Sequence, residues 1–564
     1  MTEEAIFDAI VVGSGITGGL AAKELTERGL KVLMIERGPM IEHQSGYKKE
    51  TTPPWELPFM GQGDSELYTR DYYIQSKKKQ FFHEWSQDHF VNDRLNPYDR
   101  DPARPFDWYR GYQLGGRSLT WGRQCYRWSD LDFRANAHDG NGTDWPLRYA
   151  DLERWYGYIE DFIGVSGSKE NLAQLPDGHF QPPMPLNAGE QLVKCVVEKH
   201  WPDRRVIIGR SSNITRSVGD RAPCQYRGVC NRGCSYGAYF STQSSTLPAA
   251  MATGRITVIT DTVVSRLIYD PATNRVTGVE TVGTDTLETR TFTARLIFLN
   301  ASTINTCAIM LRSTSERFPK GLANSSGVLG RYLMDHASCN SAQAVLPGLD
   351  DRNYFGNRPN NAIVPRFRNV GEAEQSGFVR GYCFQGGAIR RGWKRGGSIE
   401  GVGAALKKTL HGPGDWVMTL GVFAECLPNA DNRVVLHPTK TDAQGLAQVS
   451  ISFSYGSNEM ALLRDAEAEA VAMLEAAGGR VIARSNQPDP GGSSIHEMGG
   501  ARMGRDPSTS VLNAFSQTHD VPNLFVTDGA QMASSACQNP SLTYMALTAR
   551  ACERAVALMK EGSI

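Results

Sequence analysis

The feature that most constrains this fold is a glycine fingerprint near the N-terminus, set between two apolar runs. The β-branched run from Phe7 to Val12 predicts a buried strand, and Gly13, Gly15 and Gly18 follow it in the spacing G-x-G-x-x-G. A helix-compatible stretch and a second apolar run then lead to Glu36. In such a unit the phosphates of a dinucleotide lie at the helix N-terminus, and an acid about 20 residues further on bonds a ribose hydroxyl.

This order of strand, turn, helix, strand and acid predicts a Rossmann-like site for FAD or NAD. The alternative is an ordinary βαβ unit with a glycine-rich turn. Glu36 disfavours NADP, because a carboxylate repels the 2′-phosphate of that cofactor.

Bulk properties exclude several classes of protein. Lys and Arg total 60 and so do Asp and Glu, and no basic run stands out, so nucleic acid is not expected as a partner. No stretch approaches the roughly 18 consecutive apolar residues of a membrane span. The N-terminus lacks the basic and apolar regions of a signal peptide, so the sequence by itself predicts a cytoplasmic chain. Eleven cysteines are too few for a disulfide scaffold at this length.

The pattern of apolar runs predicts an α/β fold with two main domains. A Rossmann-like dinucleotide-binding domain is expected to be assembled from discontinuous segments, because further βα units occur far from the first. An α+β substrate domain with an antiparallel sheet is expected where polar and apolar residues alternate. The predicted boundaries are 1–38, 105–135, 205–339 and 490–564 for the first domain, 39–104 and 136–204 for lid or insert segments, and 340–489 for the substrate domain. For the segment after residue 39, a lid and a subunit-contact arm are equally open interpretations.

A glycine-rich loop with Gly115, Gly116 and Ser118 indicates backbone packed against a flat ligand, or else only a tight turn. Near the C-terminus, Asp528 and Gly529 follow a short apolar run in the manner of a second approach to a cofactor.

His496 and Asn539, both near the C-terminus, are candidates for chemistry. Asn539 and Pro540 suit a helix start, with Asn as the cap and Pro at the first helical position. Such a helix N-terminus beside a flavin would stabilise the anion of the reduced ring. A structural cap for Asn539 and an ordinary loop histidine for His496 are the alternatives.

Taken together, these motifs resemble those of the glucose–methanol–choline (GMC) family of FAD oxidoreductases over essentially the whole chain. The matches are the fingerprint Gly13, Gly15 and Gly18 with Glu36; the loop Gly115-Gly116-x-Ser118; the segment Gly327-Val-Leu-Gly330-Arg331-Tyr-Leu-Met-Asp335-His336; and the C-terminal elements His496-x-x-Gly499, Asp528-Gly529 and Asn539-Pro540-x-Leu-Thr543.

The resemblance implies that His496 accepts the proton of an alcohol, that Asn539 bonds the substrate oxygen, and that hydride passes to the flavin. Thr120-Trp121 is similar to the pyranose-oxidase branch, in which a histidine binds FAD covalently at the position of Thr120. The resemblance therefore implies non-covalent FAD.

Cys224, Cys230 and Cys234 form a glycine-punctuated cluster, and soft sulfur ligands favour an iron–sulfur cluster or zinc, with structural thiols as the alternative. The loop resembles that of bacterial FAD-dependent sugar dehydrogenases, which implies a [3Fe–4S] cluster. The same resemblance implies a small subunit that bears the export signal, a cytochrome acceptor and a periplasmic destination by co-export.

The expected function is that of an FAD-dependent dehydrogenase that oxidises a secondary hydroxyl of a sugar or glycoside to a ketone. C3 of a glucoside is the favoured position, by resemblance to bacterial glucoside 3-dehydrogenases. Two rivals stay open: a sugar or alcohol oxidase that uses O2, and a flavin-binding electron-transfer subunit without catalysis.

Overall fold

The computed structural model describes residues 7–353, 358–371, 375 and 377–564. Its strands are β1 Phe7–Val12, β2 Val32–Ile35, β3 Asp99–Arg100, β4 Ile207–Ile208, β5 Ile256–Ile259, β6 Thr262–Asp270, β7 Arg275–Gly283, β8 Thr289–Leu299, β9 Arg331–Met334, β10 Ala337–Leu346, β11 Ala362–Val364, β12 Tyr382–Arg390, β13 Trp416–Ala424, β14 Arg433–Thr441, β15 Ala447–Ser452, β16 Arg480–Arg484, β17 Met498–Gly500 and β18 Leu524–Val526. Its α-helices are α1 Ile16–Glu27, α2 Ser65–Asp71, α3 Asp130–Phe133, α4 Ala135–Asp139, α5 Tyr149–Ile163, α6 Ala188–His200, α7 Leu247–Ala252, α8 Thr303–Arg312, α9 Gly403–His411, α10 Ser457–Ala476 and α11 Ser541–Lys560. Residues 1–6, on which the expectation about a signal peptide rests, lie outside the described part.

A seven-stranded sheet is built around β1. Strands β2 and β8 flank β1 in parallel, β5 continues beyond β2, and β18 pairs in parallel with β8. Beyond β8 the sheet becomes antiparallel through β7 and β6. β2 and β18 are buried along their whole length, which explains their continuous apolar sequences. Because these strands come from distant parts of the chain, the predicted α/β class with a discontinuous Rossmann-like unit is confirmed.

The turn between β1 and α1 depends on its glycines. A Cβ on Gly18 would lie 1.9 Å from the carbonyl oxygen of Gly13, so only glycine lets α1 sit this close to the turn. Gly13 has a φ of +94°, and its Cβ would lie 2.4 Å from the carbonyl oxygen of Asn300. On its outer side α1 packs against the C-terminal helix α11. The fingerprint thus fixes where the N-terminus of α1 points.

The other strands form two further sheets. A six-stranded sheet has the order β16-β10-β13-β12-β11-β4, with α10 and α6 packed against it, and a five-stranded sheet has the order β17-β9-β14-β15-β3. The expected antiparallel sheet is present in β10, β11, β12, β13 and β16, but β14 and β15, whose alternation was grouped with it, belong to the five-stranded sheet. Likewise β4, which the sequence assigned to the dinucleotide domain, pairs with β11. Alternation identifies a strand but not its partner, and a two-residue strand gives no periodic signal.

The segment from 39 to 104 consists of loops, short 3-10 helices, α2 and the two-residue strand β3, as its irregular sequence indicates. The carboxylate of Asp93 holds it together, accepting from the backbone N–H groups of Ile74 and Gln75 and pairing with Arg110. Lys78 and Phe81 of this segment line the large cavity described below. The segment therefore covers one side of that cavity. None of the helices in the described part of the chain has the length and apolar character that crossing a bilayer requires.

Candidate active site

A single cavity of about 740 Å³ connects the glycine fingerprint with the C-terminal motifs. Gly15 and Glu36 line one part of it, and His496 and Asn539 line another. The six-stranded sheet contributes Gln385 and neighbouring residues to its wall. The cavity thus joins residues that lie more than 500 positions apart in the sequence.

At the fingerprint, backbone forms the wall of the cavity. Gly15 precedes the first residue of α1 and carries no side-chain cap, and a Cβ placed on it would meet nothing within 4 Å. A Cβ on Gly116 would lie 3.6 Å from the Cα of Gly15, so the two glycine loops approach each other here. Open space beside a helix N-terminus with free N–H groups fits a pyrophosphate.

Glu36 is held by the fingerprint itself. Its carboxylate accepts hydrogen bonds from the hydroxyl of Ser14 at 2.5 Å and from the backbone N–H groups of Ser14 and Gly38. Burial raises the pKa of Glu36. A carboxylate has about four acceptor sites, so room for a ribose hydroxyl is left at the cavity wall.

The second glycine loop is fastened to the first by hydroxyl groups. The Ser14 hydroxyl accepts from the N–H of Gly115 at 2.8 Å. Ser118 accepts from the N–H of Thr242 at 3.1 Å, and the Thr242 hydroxyl donates to the carbonyl of Ser14 at 2.9 Å. Thr242 begins a π-helical turn, a geometry that is frequent at functional sites. Ser118 is fully buried, and its hydroxyl positions the loop.

Gly115 is required by its conformation and by its neighbour. Its φ is +84°, and a Cβ there would lie 2.3 Å from the side-chain oxygen of Gln243. Gly116 also has a positive φ, of +49°. Any other residue at Gly115 would displace the loop that faces the fingerprint.

Asp528 and Gly529 lie after β18, where the sequence placed them. One oxygen of Asp528 accepts from the N–H of Ala530 at 2.9 Å and the other from the Thr306 hydroxyl at 2.5 Å. Burial raises the pKa of Asp528 to about 6. A Cβ on Gly529 would lie 2.3 Å from the carbonyl of Glu497, so this glycine permits close packing beside the cavity.

His496 lies at the centre of a hydrogen-bonded chain. Its Nδ1 is 2.9 Å from Nδ1 of His336, and its Nε2 is 3.1 Å from Nδ2 of Asn539. Its backbone N–H donates to Asp335 at 3.1 Å. Burial, the neighbouring His336 and the cation of Arg117 lower the pKa of His496 well below its usual value. The imidazole is therefore neutral at neutral pH and can accept a proton.

Asn539 does not cap the last helix, which corrects the expectation from sequence. Helix α11 begins at Ser541, Pro540 precedes it as the capping residue, and no side chain caps it. The Asn539 amide is drawn into the site, where its oxygen accepts from Nε2 of Gln385 at 2.6 Å and its nitrogen faces His496. Because the Asn539 side chain bonds buried partners instead of the free N–H groups of the helix, its role lies in the site rather than in the helix.

Charged residues beneath the site are paired or neutralised. Arg117 and Glu497 form an ion pair of 2.6 Å, in which Glu497 is buried. Asp335 accepts from the backbone N–H groups of Ser494 and His496, and burial raises its pKa to about 7. These contacts fix the backbone that carries His496.

Three residues of the cavity wall that are not glycine have positive φ values. They are Arg123 at 62°, Ser302 at 73° and Ile495 at 59°. Strained backbone of this kind costs roughly 1–3 kcal/mol per residue and collects at functional sites. Its position in the wall of this cavity supports the assignment of the cavity as the active site.

The three clustered cysteines do not form a metal site in the structure. Within the described residues, no three His, Cys, Asp or Glu side chains are grouped as ligands of a metal ion. Burial raises the pKa of Cys224 to about 11 and also raises that of Cys234, which disfavours thiolates. Arg227, with its nitrogen 4.0 Å from the Cys234 sulfur, pairs with Glu50 of the covering segment. The described residues therefore do not show the predicted [3Fe–4S] site, of which Cys230 is the third ligand.

Comparison with known proteins decides the family. The N-terminal model of the GMC oxidoreductases matches residues 7–338, and the C-terminal model matches residues 428–548. The chain belongs to the GMC oxidoreductase family. These two matched regions contain the fingerprint, the second glycine loop, His496 and Asn539.

Sequence relatives extend over the whole chain. The chain is 28% identical to 2-methyl-1,2-propanediol dehydrogenase of Mycolicibacterium austroafricanum, covering 96% of this chain and 94% of the relative. It is 26% identical to the fructose dehydrogenase large subunit of Gluconobacter japonicus, covering 98% of each chain. Pyridoxine 4-oxidase of Mesorbium loti has the same fold, with a TM-score of 0.59 at 16% identity over 97% of this chain and 98% of that one.

Membership of this family identifies FAD as the cofactor, and the cavity fits it. Gly15 leaves space at the helix N-terminus, Glu36 lies where a ribose is bound, and the buried side-chain oxygen of Asn300 in the wall has no partner among the described residues. Thr120, which the resemblance places where some relatives attach flavin, is buried at the same cavity.

Several residues of the site were not singled out by sequence. Ser14 lies inside the fingerprint, and His336 lies inside a motif quoted for the resemblance without a role. Thr242 and Gln385 stood in no motif at all. The position of Ser14 within the fingerprint could have revealed it, whereas Gln385 could be found only from tertiary contacts.

Proposed function

We propose that this GMC oxidoreductase is a dehydrogenase that oxidises a secondary hydroxyl of a sugar or glycoside to a ketone, with C3 of a glucoside as the favoured position. The observation that carries the proposal is that His496 and Asn539 meet in the cavity that also contains the fingerprint. His496 accepts the hydroxyl proton on Nε2 while Nδ2 of Asn539 donates to the substrate oxygen. The chemistry that bound FAD would supply is acceptance of the hydride from the carbon. Because Thr120 replaces the attaching histidine, we propose that this FAD is held without a covalent bond.

An amide-rich wall supports a polyhydroxylated substrate. The side-chain oxygens of Asn360 and Asn361 are buried at the cavity without partners among the described residues. The Asn361 nitrogen donates to the Gln385 oxygen at 3.3 Å, which leaves its own oxygen available as an acceptor. Unpaired buried acceptors favour a ligand with several hydroxyl donors, because an apolar alcohol would leave them unsatisfied.

The test is anaerobic reduction of the flavin by a panel of hydroxyl compounds. Methyl glucosides, glucose, fructose and 2-methyl-1,2-propanediol are added singly, and bleaching of the flavin bands is followed. The proposal expects fastest bleaching with a glucoside and a 3-keto product by NMR. Reduction by the diol alone would overturn the sugar assignment, and no reduction by any compound would favour the electron-transfer subunit.

The comparisons leave dehydrogenase and oxidase unresolved, because relatives over nearly the whole chain carry either name. We favour the dehydrogenase because an iron–sulfur cluster at the three cysteines would carry electrons away from the reduced flavin. The discriminating measurement is oxygen uptake of the reduced enzyme. A dehydrogenase reoxidises slowly in air and rapidly with an artificial quinone. Rapid formation of peroxide would establish the oxidase instead.

The depressed pKa of His496 predicts the pH dependence of flavin reduction. Burial and nearby cations disfavour the imidazolium, so the base form persists below the usual pKa of about 6.5. We therefore expect the reduction rate to stay level as pH falls from about 8 to 6.5 and to decline only at lower pH. Stopped-flow reduction at saturating substrate measures this profile. A decline that begins above pH 7 would contradict the assignment of His496 as the buried base.

The route of electrons after the flavin is a separate proposal. We propose that Cys224, Cys230 and Cys234 rearrange to hold an iron–sulfur cluster, supported by their proximity, because Cys230 and Cys234 both raise the pKa of Cys224 and Cys230 also raises that of Cys234. Anaerobically purified protein is then expected to contain iron and acid-labile sulfide in proportion to FAD, and Cys230→Ser to lose them. Protein with full FAD and no iron would discard the cluster.

A small partner subunit, a cytochrome acceptor and a periplasmic location by co-export form one further proposal. It is supported by the name of the fructose dehydrogenase relative, which is a large subunit. Co-purification from the native host in the periplasmic fraction would test it.

A further inference from the structure

We propose that His336 is a positioning residue that fixes His496 in the one neutral tautomer whose Nε2 carries the lone pair that accepts the substrate proton. The inference rests on the proposed function of His496 as a base, and it assigns a role to a residue of the Asp335-His336 motif. The two residues connect β9 of the five-stranded sheet to β10 of the six-stranded sheet, beside the segment that carries His496.

The tautomer follows from the carbonyl group of Ala536, because a carbonyl oxygen accepts a hydrogen bond but cannot donate one. Nε2 of His336 lies 2.5 Å from the carbonyl oxygen of Ala536, and a carbonyl only accepts, so this nitrogen carries the hydrogen. A neutral imidazole has one N–H, so Nδ1 of His336 is an acceptor. The nitrogen facing it at 2.9 Å, Nδ1 of His496, must then be the donor. In neutral His496 this leaves the lone pair on Nε2.

Both rings are neutral in the folded protein, so each imidazole carries a single N–H. Burial lowers the pKa of His336 to about 4, and burial together with His336 lowers that of His496 well below its usual value. The rings lie edge to face with centroids 4.9 Å apart, and the ring of Phe423 packs against both. This environment holds two neutral imidazoles in one relative orientation.

A second series of hydrogen bonds, on the Nε2 side of His496, indicates the same tautomer. Gln385 donates to the oxygen of Asn539, which turns the nitrogen of Asn539 toward Nε2 of His496. The Gln385 oxygen in turn accepts from Asn361. An N–H donor facing Nε2 is compatible only with a lone pair there. The two ends of the chain therefore specify the same tautomer independently.

The charged groups around the pair do not replace this role. Asp335 accepts from the backbone N–H of His496, not from its ring, and Glu497 is paired with Arg117. The cations of Arg117 and Lys78 lower the pKa of His496. The Tyr455 hydroxyl donates to the backbone carbonyl of His336 and not to its ring. In the described part of the chain, neither imidazole is hydrogen-bonded to a carboxylate.

A neutral orienting group has a chemical consequence. In a Ser-His-Asp triad, a carboxylate orients the histidine and stabilises its charged form, which raises its pKa. His336 orients His496 without a charge, so the base keeps its low pKa. When Nε2 takes the substrate proton, Nδ1 continues to donate to His336, and the imidazole itself does not have to rotate.

Two variants of His336 separate positioning from packing. His336→Asn keeps an oxygen near the Nδ1 position that can accept from His496, whereas His336→Gln keeps only a donor near Ala536. We expect His336→Gln to lower the limiting rate of flavin reduction by about 10²-fold or more, with KM and FAD content near those of the wild type. We expect His336→Asn to retain the rate within about tenfold. Equal loss in both variants, or an unchanged rate in His336→Gln, would overturn the proposal.

A direct measurement keeps the proposal testable if the variants fail to fold or to bind FAD. Histidine-selective ¹⁵N NMR of the wild-type holoenzyme, with His496→Ala to assign the signals, reports which nitrogen of His496 is protonated. Protonated Nδ1 is expected, and protonated Nε2 would overturn the proposal. If no hydroxyl compound reduces the wild-type flavin, the proposed function fails, while the NMR result still decides the tautomer.

Discussion

His496→Ala is expected to slow flavin reduction by about 10²- to 10⁴-fold, the usual contribution of a general base, while FAD stays bound. His496 is neutral because burial lowers its pKa, and its Nε2 meets Asn539 at the cavity. Without the imidazole, the hydroxyl proton has no acceptor as the hydride leaves. FAD should be retained because the fingerprint and the second glycine loop form a different part of the cavity wall.

The rate is measured by anaerobic stopped flow with the best substrate of the panel. The matched control is His411→Ala, because His411 lies exposed at the end of α9 outside the cavity. The control should have the wild-type rate. Full-rate reduction in His496→Ala would remove His496 from the mechanism, and with it the proposed role of His336.

Gly15→Ala is expected to weaken FAD binding by about 10- to 100-fold while leaving the apoprotein folded. The backbone at Gly15 has a φ of −61°, which alanine adopts, and its Cβ would meet no protein atom within 4 Å. The methyl group would instead occupy the space where backbone approaches the pyrophosphate. Overpacking of this kind costs about 1–3 kcal/mol, and each 1.4 kcal/mol is a factor of ten in affinity.

Substitutions at two other glycines serve as comparisons for Gly15→Ala. Gly18→Ala should prevent folding, since its Cβ would lie 1.9 Å from a backbone carbonyl. Gly412→Ala should change neither property, because Gly412 is exposed and its Cβ would also meet nothing within 4 Å. Fluorescence titration of apoprotein with FAD gives the affinity, and thermal unfolding of the apoprotein gives the stability. Normal FAD affinity in Gly15→Ala would exclude the fingerprint as the pyrophosphate site.

Elements with a local signal were predicted well. Strand β1 has the predicted bounds Phe7–Val12, and a helix and a second strand follow in the predicted order, since apolar runs and glycines set their boundaries. The amphipathic pattern of residues 459–477 indicates a long helix, and α10 spans Ser457–Ala476. Cofactor class and family followed from the same motifs, because backbone geometry around a dinucleotide requires specific residues at fixed spacing.

Predictions that depended on contacts between residues distant in the sequence were less successful. The alternation in β14 and β15 identified strands but assigned them to the wrong sheet. Asn539 was expected to serve as a helix cap because capping is a local property, yet its amide bonds Gln385 and faces His496. The three cysteines suggested a metal site by their spacing, their sulfur chemistry and a resemblance, but the described residues show no group of metal ligands, because ligation depends on where three side chains point.

The sequence by itself determined the dinucleotide unit, the family and the identity of His496 as a candidate base. Each of these rests on residues close together in the chain or on motifs with fixed order. Only the tertiary structure decided which nitrogen of His496 carries the hydrogen. That choice is made by His336, Asn539 and the carbonyl of Ala536, and His336 lies at least 200 residues before the other two along the chain. A hydrogen-bond direction is a property of both partners, so no single segment of sequence contains it.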